Sequence, residues 1–543
     1  LGKRALVFNW IANGIGRQAV PVLQAARLHP DVTVRGNVAD LLGTRNLIDE
    51  TSLATLKAMA ESDASSEVCA TAATWFASVR ATVGDSKLRE AKQYFLRNAY
   101  TYYSKPYSNP FDKSSLESLV YSLSGDQIVS EKVARFQLSE RMAQKALEEA
   151  LGLDCEYRSA YVLSICNDAA QISEYDRSVG LYQKDGAEGD VLALLAGQKS
   201  YIDYVLRLRL IQAPSTELYA ALGQALQDKR ADVAVVIIET IRETRRRGAV
   251  PAELVAALED ENSRLVRAAA AIALADWNPV DDFDGGALVA SNLAETILSG
   301  GVRVVQRVIG DSQRANRLAG LLRQVNAESY SAVSTIEEGY AMVSNSPPDL
   351  ILIDESVSID QKPGSTAPIN YFVNQLRRNY RTASVPVVVV VPEVRMAAAK
   401  DDYASDERKI LVVSDSIDSV GMRSQIFDPL FGGKDDAKNA ATRLAAEAAK
   451  ALAAAASSTA TGIPLESTVE ALLKVIDNRE DVVRLPSILA LGRIGDARAA
   501  GPLSVVAANG ENSSAIRVAA MAALGEVLQG SGQTSPAVLE VIQ

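Results

Sequence analysis

The residues best placed for chemistry are two aspartates that follow apolar stretches in the middle of the chain. Asp354 ends the run Asp349–Asp354, and Asp311 follows shortly after the run Val302–Ile309. Both runs are short and almost continuously apolar, which indicates strands buried on both faces of a parallel sheet. Ligand sites in such sheets lie at the carboxyl ends of the strands, so a site is expected here.

The elements around these aspartates alternate between strand and helix patterns. Strands are predicted at Val302–Ile309, Asp349–Asp354, Val385–Val391 and Lys409–Val413, and helices at Gln313–Val325 and Tyr371–Asn379. Continuous apolar strands separated by helices predict an α/β doubly wound sheet.

Residues 301–432 resemble a response-regulator receiver domain, most closely over Pro347–Asp354 and over Leu376–Val391. In that family the aspartate ending the third strand accepts a phosphoryl group, and two acidic residues after the first strand hold magnesium. A Ser or Thr after the fourth strand and a Lys after the fifth contact the phosphoryl group. The resemblance therefore implies a flavodoxin-like fold, with Asp354 at the phosphoacceptor position and Asp311 in the acidic pocket.

The supporting residues of that family are missing from the matching positions. Gly310 stands at the second acidic position, Val391-Pro392 replaces the Ser or Thr, and Ser414-Asp415 stands where Lys-Pro is expected. Phosphoryl transfer depends on metal and cationic groups that stabilise the spreading charge. We therefore expect a degenerate, or pseudo-receiver, domain in which Asp354 is inactive, with no metal and no cofactor.

A second pattern recurs in the N-terminal, middle and C-terminal parts of the chain. A Val-Arg or Ile-Arg pair is followed, eight positions after its first residue, by Leu-Gly or Leu-Ala, and the last two copies are 33 residues apart (516 − 483). The glycines of this pattern are expected to end helices. The copies begin at Val34-Arg35, Val266-Arg267, Val483-Arg484 and Ile516-Arg517.

These repeats resemble the HEAT family in a short, HEAT-like form. The resemblance implies stacked helix pairs in which the arginines support neighbouring turns and the aliphatic residues fill the core between helices. The predicted fold class is therefore mostly α: a HEAT-like α-solenoid with an inserted α/β, receiver-type domain.

The predicted domain order follows from these two patterns. Helices are predicted at Ser114–Ser122 and Ser130–Leu151, and Asn278–Gly286 is expected to end the first array. The tyrosines of residues 94–111 either pack a loop against the helices or form an exposed anchor for a partner. The segments are 1–85 (HEAT-like repeats), 86–212 (irregular helices), 213–300 (repeats and linker), 301–432 (pseudo-receiver), 433–463 (Ala-rich helix and linker) and 464–543 (repeats).

Composition and charge limit the classes of partner that the chain is expected to bind. The chain has 543 residues and a formal net charge of −11, which argues against nucleic acid as a partner because phosphate binding needs a basic face. No apolar run is long enough to cross a membrane. The three cysteines and His29 match no metal-site spacing. The cysteines and the receiver-like segment favour a cytoplasmic location, while the lack of an initiator Met leaves export open.

No motif for a P-loop, a zinc protease or a nucleophile elbow occurs in the sequence. Stacked helical repeats expose extended surfaces that serve as binding platforms. The first hypothesis is therefore a non-enzymatic scaffold that binds other proteins or copies of itself. A signalling regulator phosphorylated at Asp354 is the alternative, and a phycobilin-lyase-type accessory protein with HEAT-like repeats is a weaker one.

Overall fold

The computed structural model describes most of the chain, which separates into two compact units. The first comprises Leu1–Gln224 with Asn379–Arg381, and the second comprises Ala225–Arg378 with Thr382–Gln543. The described residues are 2–44, 47–48, 50–84, 88–104, 116–184, 189–244, 249–299, 303–325, 327–357, 368–379, 381–405, 409–432, 436–458, 460–477 and 479–531.

The first unit is mainly helical, with one antiparallel hairpin. Its first helices form pairs, α2 with α3 and α4 with α5, and α3 packs on α5. The elements are α1 Gly2–Asn9, α2 Val20–Ala26, α3 Val32–Leu42, α4 Glu50–Ser62, α5 Ser66–Val83, α6 Ala91–Ser104, β1 Glu117–Ser124, β2 Gln127–Ala134, α7 Leu138–Leu153, α8 Arg158–Lys184, α9 Asp190–Tyr201, α10 Arg207–Gln212 and α11 Ser215–Gln227, whose last residues enter the second unit.

The hairpin corrects the predicted helix at Ser114–Ser122 and the start of the one at Ser130–Leu151. Strands β1 and β2 pair from Glu117↔Ala134 to Ser124↔Gln127, around a two-residue turn in which Gly125 has φ +65°. Glycine adopts this conformation without steric cost, which favours a tight hairpin turn. Val120 and Val133 then pack against α7, so local turn chemistry and burial outweigh the helical spacing.

Helices of the second unit pack in two rows. In one row α12 packs on α14, α14 on α22, α22 on α24 and α24 on α26, and in the other α13 packs on α15 and α15 on α23. The helices are α12 Ala231–Glu243, α13 Ala252–Leu258, α14 Arg264–Trp277, α15 Gly286–Leu298, and, after the sheet segment, α22 Asp436–Ala456, α23 Val469–Val475, α24 Asp481–Ile494, α25 Ala500–Ala508 and α26 Ser514–Ser531.

The helical rows continue through the segment that was expected to end the first array. Helix α15 packs on α14, and α22 packs on both of them, although a whole sheet domain lies between α15 and α22 in the chain. The prediction that Asn278–Gly286 ends the array is therefore wrong. The α/β segment is an insertion between two helices that are direct neighbours.

Gly43 caps the end of α3 as expected, but the other two repeat glycines differ from expectation. Gly492 lies inside α24 and Gly525 inside α26, whereas α24 ends at Gly495 with φ +73°. A Cβ on Gly492 would lie 2.7 Å from Ala523 Cα of the next helix in the row. Gly492 is thus required for close helix packing rather than for helix termination.

The inserted segment contains a parallel sheet of order β4-β3-β5-β6-β7. One core cluster joins one sheet face to α17, α18 and α19, and another joins the opposite face to α16 and α20. The elements are β3 Val304–Val308, α16 Ser312–Gln324, β4 Glu328–Ser329, α17 Ile336–Asn345, β5 Leu350–Asp354, α18 Pro368–Arg378, β6 Val387–Val391, α19 Met396–Tyr403, β7 Ile410–Ser414, α20 Ser419–Met422 and α21 Asp428–Phe431.

Candidate functional site

The candidate site lies where β3 and β5 end side by side. Strand β3 has β4 as its neighbour on one side and β5 on the other. The strand order therefore reverses at β3. Such a switch point opens a crevice at the carboxyl ends of the strands, where ligands bind in α/β sheets. Gly310, Asp311 and Asp354 all follow or end these two strands.

Asp354 is fully buried, and both of its carboxylate oxygens are occupied by groups of this chain. Arg314 Nη1 donates to Oδ2 at 2.7 Å. Oδ1 accepts from Ser356 Oγ at 2.6 Å, from Ser356 N at 3.1 Å and from Gly310 N at 3.3 Å. A buried carboxylate needs a cation and hydrogen-bond donors, and this site provides them without a metal ion.

Arg314 binds a second carboxylate in addition to that of Asp354. Its Nη2 lies 3.3 Å from Asp415 Oδ2, at the end of β7. The segment in which a lysine was expected therefore supplies an acid instead of a cation, and the cation comes from the first turn of α16. Sequence reasoning missed Arg314, although it follows Asp311 by three residues and so lies in the first turn of α16.

Asp311 has a different role from Asp354, because it caps a helix. It is the N-cap of α16, and its Oδ1 accepts from Arg314 N at 2.8 Å, an interaction that satisfies an otherwise unpaired amide of the first turn. The carboxylate is exposed. Asp311 thus starts the helix that delivers Arg314 to Asp354.

Gly310 leaves no room for a second acidic side chain. A Cβ built at this residue would lie 2.4 Å from the backbone oxygen of Ser356. Val391, at the position expected for Ser or Thr, is buried and apolar. In the described part of the chain, no group of three or more His, Cys, Asp or Glu residues is arranged to hold a metal ion.

The repeat arginines form a second set of predicted residues, and each binds the turn that precedes its helix. Arg35 Nη1 donates to His29 O at 2.9 Å, Arg267 Nη1 to Asp260 O at 2.9 Å, Arg484 Nε to Ile476 O at 2.7 Å and Arg517 Nε to Ala507 O at 3.2 Å. Their aliphatic neighbours Val266, Val483 and Ile516 are buried, while Val34 is half-buried.

Three of these arginines also reach a partner 28 residues further along the chain. Arg35 binds Asp63 at 2.8 Å, Arg267 binds Glu295 at 3.5 Å and Arg484 binds Asn512 at 2.8 Å. Asp63 and Asn512 lie in the turns before α5 and α26, so Arg35 and Arg484 each bridge two successive turns, whereas Glu295 lies within α15. We call this contact pattern the arginine ladder. Burial acts to raise the pKa of Asp63, but the hydrogen bonds from Arg35 and from the backbone of Ser65, together with the charge of Arg35, outweigh it, and the pKa is lowered.

A buried polar cluster in the first unit was not predicted. Arg381 Nε lies 2.8 Å from Glu174 Oε1, and the Arg381 guanidinium also pairs with Glu140, with all three side chains almost completely buried. Asp168 on the same helix, α8, has its pKa raised to about 7, mainly by burial, and Arg209 at 3.2 Å offsets this only in part. The signal for this cluster was a row of polar residues at spacings of three and four on α8.

The remaining predicted residues either are held by contacts within the fold or lie outside the described residues. Tyr94 and Tyr103 are buried, whereas Tyr100 is 40% exposed. His29 Nδ1 accepts from Asp31 N at 3.0 Å. The loop at 105–111 and the basic run at 245–247 lie outside the described residues.

None of the described helices is long and apolar enough to span a membrane. The sequence matches no protein-family model, and comparison with curated proteins finds no significant relative.

Proposed function

We propose that this chain is a non-enzymatic scaffold, built from a HEAT-like helical array with an inserted pseudo-receiver domain, that binds other proteins or further copies of itself. The observation that carries the proposal is the arginine ladder, since three repeat arginines each reach a partner 28 residues further on, in the next turn for Arg35 and Arg484 and in the next helix for Arg267. A repeating link of this kind is what a stack of equivalent helix pairs requires. Such stacks present extended surfaces suited to binding.

The inserted domain supports a binding role rather than phosphate chemistry. The carboxylate of Asp354 is buried and paired with Arg314, and Gly310 leaves no space for a second acid. A phosphoryl group would have to displace the guanidinium and would then lack the metal ion that normally balances its charge. The domain retains a folded sheet whose outer surfaces are available for recognition.

The binding face that we favour lies on α24 and α26, adjacent helices of one row. Val482 and Leu485 on α24 are 49% and 37% exposed, and Val518 and Met521 on α26 are 59% and 47% exposed. The two residues on each helix are three positions apart, so they lie on one side of it. Clustered exposed apolar side chains of this kind mark surfaces that bind other proteins.

The face is tested with a double variant, Val482→Glu with Val518→Glu, in light scattering and in affinity purification from the native source. The variant should lose self-association or the retained partners, because a partner would have to bury two carboxylates. Val505→Glu is the matched control, since Val505 is 65% exposed but lies on α25 outside this row. A wild-type chain that is monomeric and retains no partner would refute the proposal.

The signalling alternative is tested separately, by incubating the wild-type chain with Mg²⁺ and acetyl phosphate and measuring its intact mass. We expect no mass gain at Asp354. A phosphoryl adduct that maps to Asp354 would show that Arg314 yields its place, and the inserted domain would then be a working switch.

A further inference from the structure

A cavity in the second unit has no role in the scaffold proposal. Its volume is about 360 Å³, within the range of small-molecule sites. It is bounded by the turn between α11 and α12, by the turn between α13 and α14, and by α17 with the residues that precede it. Helices of the array and of the inserted domain therefore share one cavity.

Most of the surface that lines the cavity is apolar, although half of the lining residues are polar or charged. Leu226 and Ala225 form the wall on α11, Val333 lies on the inserted domain, and Ala341 and Met342 project from α17. An apolar lining with a few polar groups is typical of sites that bury a small organic molecule. Methionine adapts its shape to different ligands because its side chain is unbranched and flexible.

The charged groups of the lining favour a cation. Asp260 and Glu338 supply two carboxylates, and Lys229 and Arg230 supply two cations. The Arg230 guanidinium is engaged with Asp232 through two contacts of 2.9 Å, which neutralises it. Two carboxylates therefore face one exposed ammonium, that of Lys229.

Of the two carboxylates, Asp260 would be stabilised more by a bound cation. It is half-buried, and its Oδ1 accepts long hydrogen bonds of 3.4 Å from Asn262 N and Asn262 Nδ2, with a weaker contribution from the backbone of Ser263. Burial raises the pKa of Asp260, because these contacts and the charge of Arg267 compensate for lost solvent only in part. A bound ammonium group would provide the missing charge-assisted hydrogen bond.

The backbone at the cavity wall is also unusual. Lys229 has φ +55° and ends α11 in a turn where Arg230 N donates to Ala225 O at 2.9 Å. Glycine is the usual residue there, and a side chain costs about 1 kcal/mol in this conformation. Such outliers concentrate at ligand-binding sites.

We propose that this cavity binds a small organic cation, a primary amine attached to an aromatic or short aliphatic body, with its ammonium group on Asp260 and its body against Leu226 and Met342. The proposal is independent of the scaffold function. A ligand here would contact the array and the inserted domain together.

The test uses three matched probes, 4-phenylbutylamine, 4-phenylbutanol and 4-phenylbutyrate, titrated into the full chain by calorimetry. We expect the amine to bind at least about tenfold more tightly than the alcohol, which corresponds to one charge-assisted hydrogen bond, and the carboxylate to bind most weakly. Asp260→Asn should remove the preference for the amine. Glu261→Gln, at an exposed neighbour that does not line the cavity, should retain it.

A second variant tests the cavity without altering charge. Ala341→Phe places a ring in the cavity from an exposed position on α17 and should abolish binding of all three probes. Equal affinity for the three probes, binding that Asp260→Asn leaves unchanged, or no binding at millimolar concentration would each overturn the proposal. The unliganded melting temperature of each variant shows whether it is folded.

Discussion

The Nη1 atom of Arg314 lies 2.7 Å from Oδ2 of Asp354, so the most buried carboxylate at the crevice of the sheet is neutralised by a side chain of the same domain. Because Arg314 also binds Asp415, it joins the ends of β5 and β7. The pair is therefore a structural element of the sheet edge.

Replacing Arg314 should destabilise the second unit. Arg314→Gln leaves the Asp354 carboxylate buried without a cation, at a cost of about 3 kcal/mol in the free energy of unfolding, measured in urea. Arg323→Gln, at an exposed position on the same helix, should change it by less than about 0.5 kcal/mol. Adding Asp354→Asn to the Arg314 variant should recover part of the loss. Equal effects of the two single variants would show that the ion pair contributes nothing.

Adding a side chain at Gly310 should lower the free energy of unfolding. In Gly310→Ala the new Cβ would lie 2.4 Å from the Ser356 carbonyl oxygen, so the backbone must shift, and we expect a loss of about 1–3 kcal/mol in unfolding experiments. Gly320→Ala is the matched control on α16, because no atom lies within 4 Å of its Cβ position. That control should stabilise the chain by about 0.5–1 kcal/mol. A Gly310→Ala variant as stable as the wild type would refute the steric argument.

The arginine ladder makes a prediction about coupling. Arg484→Ala removes bonds to Ile476 O and Asn512 Oδ1 and should cost about 2 kcal/mol of unfolding free energy. Asn512→Ala should cost less, and a double-mutant cycle should give a coupling of about 1 kcal/mol. Arg443→Ala, at an exposed position on α22, serves as the control. Additive effects of the two substitutions would mean that the turns are not linked through this pair.

The buried Asp168 predicts a pH dependence of stability in the first unit. Its folded pKa of about 7 exceeds the unfolded value of about 3.9, so the protonated form favours folding. The contribution is fully present below about pH 4 and is lost as the pH rises through 7. Asp168→Asn cannot ionise, so it should be more stable than the wild type at pH 8, by about 1–3 kcal/mol, and similar at pH 4.

The comparison between variant and wild type removes the contribution of other titrating groups. Urea unfolding at pH 4, 6 and 8 measures the difference directly. Asp401→Asn, at an exposed residue of α19, should show no pH-dependent difference. A stability difference for Asp168→Asn that is constant with pH, or that favours the wild type at pH 8, would contradict the burial argument.

Much of the inserted domain could be predicted from the sequence. The predicted strand Asp349–Asp354 is observed at Leu350–Asp354, and Val385–Val391 is observed at Val387–Val391. The predicted helix Gln313–Val325 is observed at Ser312–Gln324. Continuous apolar runs of this length form strands buried on both faces, and this depends on the composition of the run itself rather than on distant contacts.

The hairpin β1–β2 could not be predicted from helical spacing, because Leu119, Leu123 and Ile128 fit either periodicity. The turn at Gly125 and the packing of Val120 and Val133 on α7 decide between them. The role of Gly492 was also misread, since a glycine that permits close helix packing has the same sequence pattern as one that ends a helix.

The sequence by itself determined four strands of the parallel sheet, most helices and the positions of Asp354 and of the repeat arginines, because these follow from local apolar patterns and spacing. Only the tertiary structure decided that Arg314 neutralises Asp354 and that each ladder arginine reaches a partner 28 residues further on. It also decided that α15 and α22 are neighbours across the insertion. The physical reason is that ion pairs and helix packing depend on distances in space, which residues far apart in the chain acquire only when the chain is folded.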